Sequence, residues 1–199
     1  MTQTSTSTII YEETTTSTEV STTSVVAIAT ATPSLVIPAD PVINGDFEVS
    51  KSSIAPWTNT SATTGGRVEI VNGVNPCTTT GCTGGKIVIR VYPPTSGVAA
   101  DYLAIAETFV ARPFTTYSVS FVYRCLNFDA STGIEVYYQG SRAGGVTCPS
   151  GTGVFFNMAT DIQFTTDSTG AGELQIRFLN PSELPYMYFY ADQFAAAVI

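Results

Sequence analysis

Thr115-Thr116-Tyr117-Ser118-Val119-Ser120-Phe121-Val122-Tyr123-Arg124-Cys125 is the stretch whose pattern decides the fold class. Tyr117, Val119, Phe121, Tyr123 and Cys125 fall on one side of an extended chain, and Ser118, Ser120 and Arg124 on the other. A period of two marks a strand with one buried and one wet face. Working outward, Glu173 to Asn180 repeats it, with Leu174, Ile176 and Phe178 inward and Glu173, Gln175 and Arg177 outward. Ile134, Val136 and Tyr138 alternate with Glu135 and Tyr137. Further strands are predicted at 67–71, 86–92, 102–110, 162–166 and 186–199. Turn signals separate them: Asn72-Gly73, Gly84-Gly85, Pro93-Pro94, Gly144-Gly145 and Gly170-Ala171-Gly172. No long helical period and no fixed repeat is present. Short strands between Gly- and Pro-containing turns predict an all-β sandwich or barrel.

Before this domain the composition changes. In residues 1–36 half the positions are Ser or Thr, and the only charges are Glu12, Glu13 and Glu19. Such a segment buries too little apolar surface to offset about 1–2 kcal/mol of backbone entropy per residue. Residues 1–40 are therefore expected to be a disordered stalk or linker, and Ser/Thr-rich stretches of this kind read as O-glycosylated. Residues 41–199 are expected to form one domain, large enough for a real core. Met1 is followed by polar residues, with no basic segment and apolar run of the kind a signal peptide has, so none is read in this chain.

Charge and composition exclude several functions. The 199 residues carry 16 acidic and 8 basic side chains, a net charge of -8, and no histidine. An acidic chain is a poor nucleic-acid ligand, because phosphate binding needs clustered Lys and Arg. Without histidine there is no Ser-His-Asp or Cys-His nucleophile and no imidazole metal site. No apolar run approaches the roughly 20 residues that span a bilayer. Four cysteines allow three pairings. Cys77 and Cys82 bracket a short flexible loop, while Cys125 ends a strand and Cys148 follows the next hairpin, which favours Cys77–Cys82 and Cys125–Cys148. Their spacing fits no usual zinc pattern. An even count beside a Ser/Thr-rich segment points to an oxidising, secreted or cell-wall setting. Asn59-Thr60-Ser61 is a glycosylation sequon.

Val42-Ile43-Asn44-Gly45-Asp46-Phe47-Glu48, followed by Pro56-Trp57, resembles the opening of CenC-type carbohydrate-binding modules, which have the galactose-binding-like jelly-roll fold. Tyr190-Ala191-Asp192-Gln193-Phe194 resembles their last strand, and Ala104–Phe109 with Thr116–Phe121 their paired middle strands. The likeness covers residues 41–199 and is closest to fungal secreted versions, in which a Thr/Ser-rich segment precedes the module. It implies a two-sheet jelly-roll sandwich whose first and last strands meet. It also implies a structural calcium held there by the backbone carbonyl of Asp46 and the carboxylates of Glu48 and Asp192, with a carbonyl near Lys86 beside them. Calcium takes six to eight oxygens of these kinds. The second acid of the family's ending is Gln193 in this chain, which lowers the charge.

The resemblance further implies a glycan or polysaccharide as partner and a monomeric, non-catalytic, extracellular module. Sugar rings lie on flat aromatic faces while amides and carboxylates grip hydroxyls. Tyr137, opposite the inward residues of its strand and beside Glu135 and Gln139, is the first candidate. Tyr186 and Tyr188, which with Tyr190 are spaced to share one face of the last strand, are expected to extend the same surface, and Trp57 is a further candidate. A glycosidase needs two positioned carboxylates; within the domain only Asp46 and Glu48 form a local acidic pair, and that pair suits the cation better. The alternatives are a structural or adhesive cell-wall protein without a sugar site, and the binding fragment of a longer glycoside hydrolase.

Overall fold

The computed structural model describes residues 40–50, 52–60, 66–74, 87–94, 102–149, 156–181, 184 and 186–199, together with the backbone of two short strands nearer the N-terminus. The chain divides into one unit over Met1–Val36 and a second over Ile37–Ile199. In the first unit, β1 (Ser7–Tyr11) pairs antiparallel with β2 (Thr23–Ala27), Ile9 opposite Val25. The sequence predicts no regular structure there; the β-branched pairs Ile9-Ile10 and Val25-Val26 are what favour extended backbone.

The second unit is all β. In chain order it contains β3 (Thr58–Asn59), β4 (Arg67–Asn72), β5 (Ile87–Tyr92), β6 (Tyr102–Val110), β7 (Thr116–Leu126), β8 (Gly133–Tyr138), β9 (Ser141–Thr147), β10 (Asn157–Thr165), β11 (Ala171–Leu179) and β12 (Tyr188–Val198). Two five-stranded antiparallel sheets form a sandwich. The order β3-β6-β11-β8-β9 makes what we call the front sheet, and β10-β7-β12-β5-β4 the back sheet. The predicted alternation places the core: Tyr117, Val119 and Phe121 from β7, Leu174, Ile176 and Phe178 from β11, and Ile134 and Val136 from β8 are buried between the sheets. No helix among the described residues is long and apolar enough to cross a membrane.

Cys125, at the end of the back sheet's β7, is bonded to Cys148, which follows the front sheet's β9, with Cα atoms 5.9 Å apart. The bridge closes a loop of 23 residues, worth about 3 kcal/mol in the chain-entropy account. Cys77 and Cys82 lie outside the described residues. Two local expectations change. Gly144-Gly145, read as a turn, lies inside β9. A Cβ at Gly145 would sit 2.6 Å from the Ile134 carbonyl oxygen, so β9 needs a residue without a side chain there, where it pairs with β8, and one at Gly144 would press on Ile162 Cγ2 at 3.1 Å. The last strand begins at Tyr188, and Tyr186 precedes it with φ 62°. The three tyrosines therefore do not share one strand face.

The opening motif is explained by its contact with the last strand. Asn44 and Phe47 take positive φ values, and the Phe47 N–H donates to the Asn44 carbonyl at 3.1 Å, so 44–47 is a tight turn. The Asn44 amide spans it, donating to the Ala55 carbonyl at 2.8 Å and accepting from the Val49 N–H at 3.2 Å. Position 45 must be glycine, because a Cβ would sit 1.8 Å from the Phe194 carbonyl oxygen. At that close approach the Phe194 N–H donates to the Gly45 carbonyl at 3.0 Å, inside a β12 irregularity between Asp192 and Ala195. The first segment and the last strand do meet.

Candidate functional site

The outer face of the front sheet carries a polar row built around Tyr137. Its strand neighbours Val136 and Tyr138 are buried in the core, so Tyr137 points out. Register sets Gln175 opposite Tyr137 and Arg177 opposite Glu135. The Tyr137 hydroxyl donates to Glu135 Oε2 at 3.1 Å, and Arg142 Nε donates to Glu135 Oε1 at 2.7 Å. The Arg177 guanidinium lies 3.6 Å from the Tyr137 ring centroid and 4.4 Å from that of Tyr102. It thus bridges two rings in a cation–π arrangement, and its Nε donates to Gln175 Oε1. Gln175 Nε2 continues the row to Thr60 Oγ1 at 3.3 Å. Partial burial, then the Glu135 carboxylate, push the Tyr137 hydroxyl above its ordinary value.

The other predicted binding residues go elsewhere. Gln139 sits in the β8–β9 turn, its Nε2 donating to the Ala171 carbonyl at 2.8 Å. There it lines a hollow of about 550 Å³ with Arg142, Gln163 and Asp167, at the side of the sandwich. Trp57 is 2% exposed, with its centroid 5.4 Å from Phe194 and 6.4 Å from Phe47, and its Nε1 donates to the Ile43 carbonyl at 3.2 Å. It is a core residue that seals the junction of the first and last segments, and no ring face is left for a sugar. Tyr188 belongs to the back sheet: Phe189 and Ala191 are buried between the sheets, so Tyr188 and Tyr190 point out from the opposite side of the molecule to Tyr137. Tyr186 is also on that side's rim, beside Tyr188. The expected single aromatic surface is in fact two surfaces, one per sheet. Sequence reasoning also missed Tyr102 and Arg177 as partners of Tyr137; only strand pairing brings them together.

A third cluster lies where the first and last segments meet. Asp192 is fully buried, and neither carboxylate oxygen has a hydrogen-bond partner of ordinary geometry. Burial pushes its carboxyl up to about 8, opposed in part by the Gln193 N–H and reinforced by the nearby Asp46 and Glu48 carboxylates. Glu48 Oε1 accepts the Ile87 N–H at 3.0 Å, which ties the opening segment to β5. A buried, unpaired carboxylate facing two more acids is costly unless a cation or a proton compensates. Among the described residues no three acidic or sulfur side chains close on one point, so a cation would need backbone carbonyls as well. Lys86, the expected source of one, lies outside the described residues. The donor set is all oxygen, which suits calcium. Asn59 is exposed on edge strand β3.

A second buried acid was not foreseen. Glu107, on the inward face of β6 between Ile105 and Phe109, is 2% exposed. Its Oε1 accepts the Ile43 N–H at 2.9 Å, while Oε2 has no partner. Burial, with a smaller contribution from Asp40, pushes it up to about 7. The alternation of β6 marks position 107 as inward, which was the available signal.

No protein-family model matches this chain, and no curated protein does either. Solved structures match in fold. The carbohydrate-binding module TmCBM61, seen in complex with β-1,4-galactotriose, is 14% identical with a TM-score of 0.54, over 80% of this chain and 99% of that one. The Stig cyclase Fisc from Fischerella sp. TAU is equally similar, 14% identical with a TM-score of 0.54, over 81% of this chain and 98% of that one. The tandem CBM22-1–CBM22-2 domain of Paenibacillus barcinonensis Xyn10C is 12% identical with a TM-score of 0.53, over 83% of this chain and 47% of that one. At such identities the likeness establishes the sandwich fold that these modules share, and a fold of this kind hosts both binding and cyclisation.

Proposed function

We propose that residues 41–199 form a non-catalytic glycan-binding module of the CenC type, with the sugar chain lying across the front sheet at Tyr102, Arg177, Tyr137 and Glu135. The observation that carries this reading is the bridged row itself. Two rings and a guanidinium plane offer flat apolar contact, and Glu135, Arg142 and Gln175 offer acceptors and donors for hydroxyls. The sugar-binding neighbours support the same reading.

In this reading the Asp192 and Glu48 carboxylates and the Asp46 carbonyl hold a structural calcium that joins the first segment to the last strand. The orphaned Asp192 carboxylate is the observation behind it. The Cys125–Cys148 bridge and the exposed sequon at Asn59 support a secreted or cell-wall glycoprotein.

Retention of the purified domain on insoluble β-glucan, chitin, cellulose, xylan and galactan tests the assignment. A Kd between about 1 μM and 1 mM is expected for a site of a few ring contacts. If none of these polymers and no member of a broad glycan array retains the protein, the structural or adhesive alternative takes its place.

A further inference from the structure

We propose that the outer face of the back sheet is a second glycan site, specific for a polysaccharide that carries carboxylates, and that the domain can hold two chains at once. The second site stands by itself; the bivalency rests on the front-sheet reading.

The site is a hollow of about 450 Å³ at the end of β12, walled by Arg67, Tyr92, Asn127, Tyr186 and Tyr188. Tyr92 and Tyr188 lie 5.4 Å apart, and Tyr188 meets Tyr190 edge-on at 5.5 Å. The Arg67 guanidinium lies 4.0 Å from the Tyr92 centroid. Its side chain is 61% exposed, with Nε given to Glu69 at 2.7 Å. Glu69 is itself shared with Arg90, so one carboxylate serves two guanidiniums.

Tyr186 is the residue that packing does not explain. It is 84% exposed and takes φ 62°, in the left-handed region that a bulky side chain occupies at a cost of roughly 1–3 kcal/mol. Asn127 Nδ2 donates to its carbonyl at 3.0 Å and fixes that conformation. A ring held out at the rim of a hollow, on a strained and pinned backbone, is arranged for a ligand rather than for the core.

The charge of the lining selects the ligand. Arg67 is the only charged side chain among the described residues that line the hollow. A guanidinium between tyrosine rings pairs with a planar carboxylate, while the rings stack on the pyranose that bears it. The domain as a whole is acidic, but at a Debye length of about 8 Å distant acids are screened, and Arg67 with Arg90 outnumbers the one adjacent carboxylate, Glu69. The front row has the same count, one carboxylate and two guanidiniums, but there Glu135 itself borders the Tyr137 ring and Arg177 is covered by two rings, whereas Glu69 does not line the back hollow.

Affinity electrophoresis and calorimetry with polygalacturonate, with glucuronic-acid-substituted xylan and with neutral β-1,4-galactan test the proposal. Tyr186→Ala and Arg67→Gln are exposed changes that leave the fold intact. Each should weaken binding of an acidic polymer about tenfold or more, the loss expected when a charge-assisted hydrogen bond or a stacked ring is removed. Raising salt from about 0.15 M to 1 M should weaken it too, whereas Tyr137→Ala should not. No binding to either acidic polymer, or binding indifferent to Tyr186 and Arg67, overturns the second site. Loss of acidic-polymer binding on Tyr137→Ala alone does the same, and places that ligand on the front sheet. Neutral-polymer binding that depends on Tyr137 keeps the front-sheet reading whatever the acidic polymers do. If no neutral polymer binds while an acidic one binds through Tyr186, the second site stands and the bivalency fails.

Discussion

The two outer faces of the sandwich use the same three residue types, tyrosine, arginine and glutamate, to different ends. On the front sheet the carboxylate is central: Glu135 takes Tyr137 and Arg142, and Arg177 is covered by rings on either side. The result is a flat row with an acceptor at its middle. On the back sheet the guanidinium is central. Glu69 is drawn to the edge between Arg67 and Arg90, and Arg67 stands over Tyr92 in the wall of a hollow. Both sheets set a glutamate opposite an arginine, Glu135 opposite Arg177 and Glu69 opposite Arg90, and the back sheet adds Tyr190 between Arg90 and Arg124, so the difference lies in where each pair sits relative to the rings. The two faces differ in which charged group borders the rings, Glu135 at Tyr137 on the front and Arg67 at Tyr92 in the back hollow.

The largest expected effect tests whether a ring that belongs to neither face takes part. Trp57→Ala should cost about 3–5 kcal/mol of stability, the usual range for removing a buried large aromatic. Denaturant unfolding measures it, and any loss of glycan binding should track the unfolded fraction. A stable Trp57→Ala protein with impaired binding would add a third surface and break the two-face description.

Next comes the calcium proposed at the Asp192 cluster, which would tie the opening segment to β12 of the back sheet. Saturation at 100 times Kd contributes about 2.7 kcal/mol. Melting in millimolar calcium should exceed melting in EDTA for the wild type, and by far less for Asp192→Ala. Equal wild-type values in the two buffers remove calcium from the account.

The front sheet has its own buried acid, and its effect runs with pH. Glu107 is raised from 4.5 to about 7 in the folded chain, by burial first. Between those values the folded chain keeps a proton that the unfolded chain has lost, so stability is full below about 4.5 and falls as pH rises towards 7. Glu107→Gln retains an acceptor for the Ile43 N–H and should lessen the fall over this part of a stability profile measured in constant calcium, leaving the share of Asp192, raised to about 8. An unchanged profile would mean that Glu107 is ionised throughout.

The smallest effect is on the front row itself. Tyr137→Ala should weaken neutral-glycan binding severalfold and change the melting temperature little, since a half-buried ring on the outer face of the sheet contributes little to the core between the sheets. That binding should be insensitive to salt, in contrast to binding at the back face. Salt-sensitive binding at Tyr137 would erase the distinction between the faces.

Much of this architecture could be read from the chain. Alternation over 115–125, 134–138 and 173–180 sorted inward from outward residues correctly, because burial of one strand face is recorded at every second position. The pairing of Cys125 with Cys148 followed from a strand end and the hairpin beyond it. The reading failed at Gly144-Gly145, where a glycine demanded by a neighbouring strand looks the same as one demanded by a turn. It failed at Trp57, whose burial depends on Phe47 and Phe194, far apart in sequence. It failed again in joining Tyr137 to Tyr188.

By itself, then, the sequence determined the all-β class, the faces of its longest strands and which tyrosine of β8 points outward, since these are properties of local periodicity. Only the tertiary structure decided that β8 and β12 lie in different sheets, that Arg177 is bridged by Tyr102 and Tyr137, and that Asp192 is sealed from water beside Asp46 and Glu48. Each of these depends on which strands become neighbours, and that is settled by the packing of the whole core, not by any one segment.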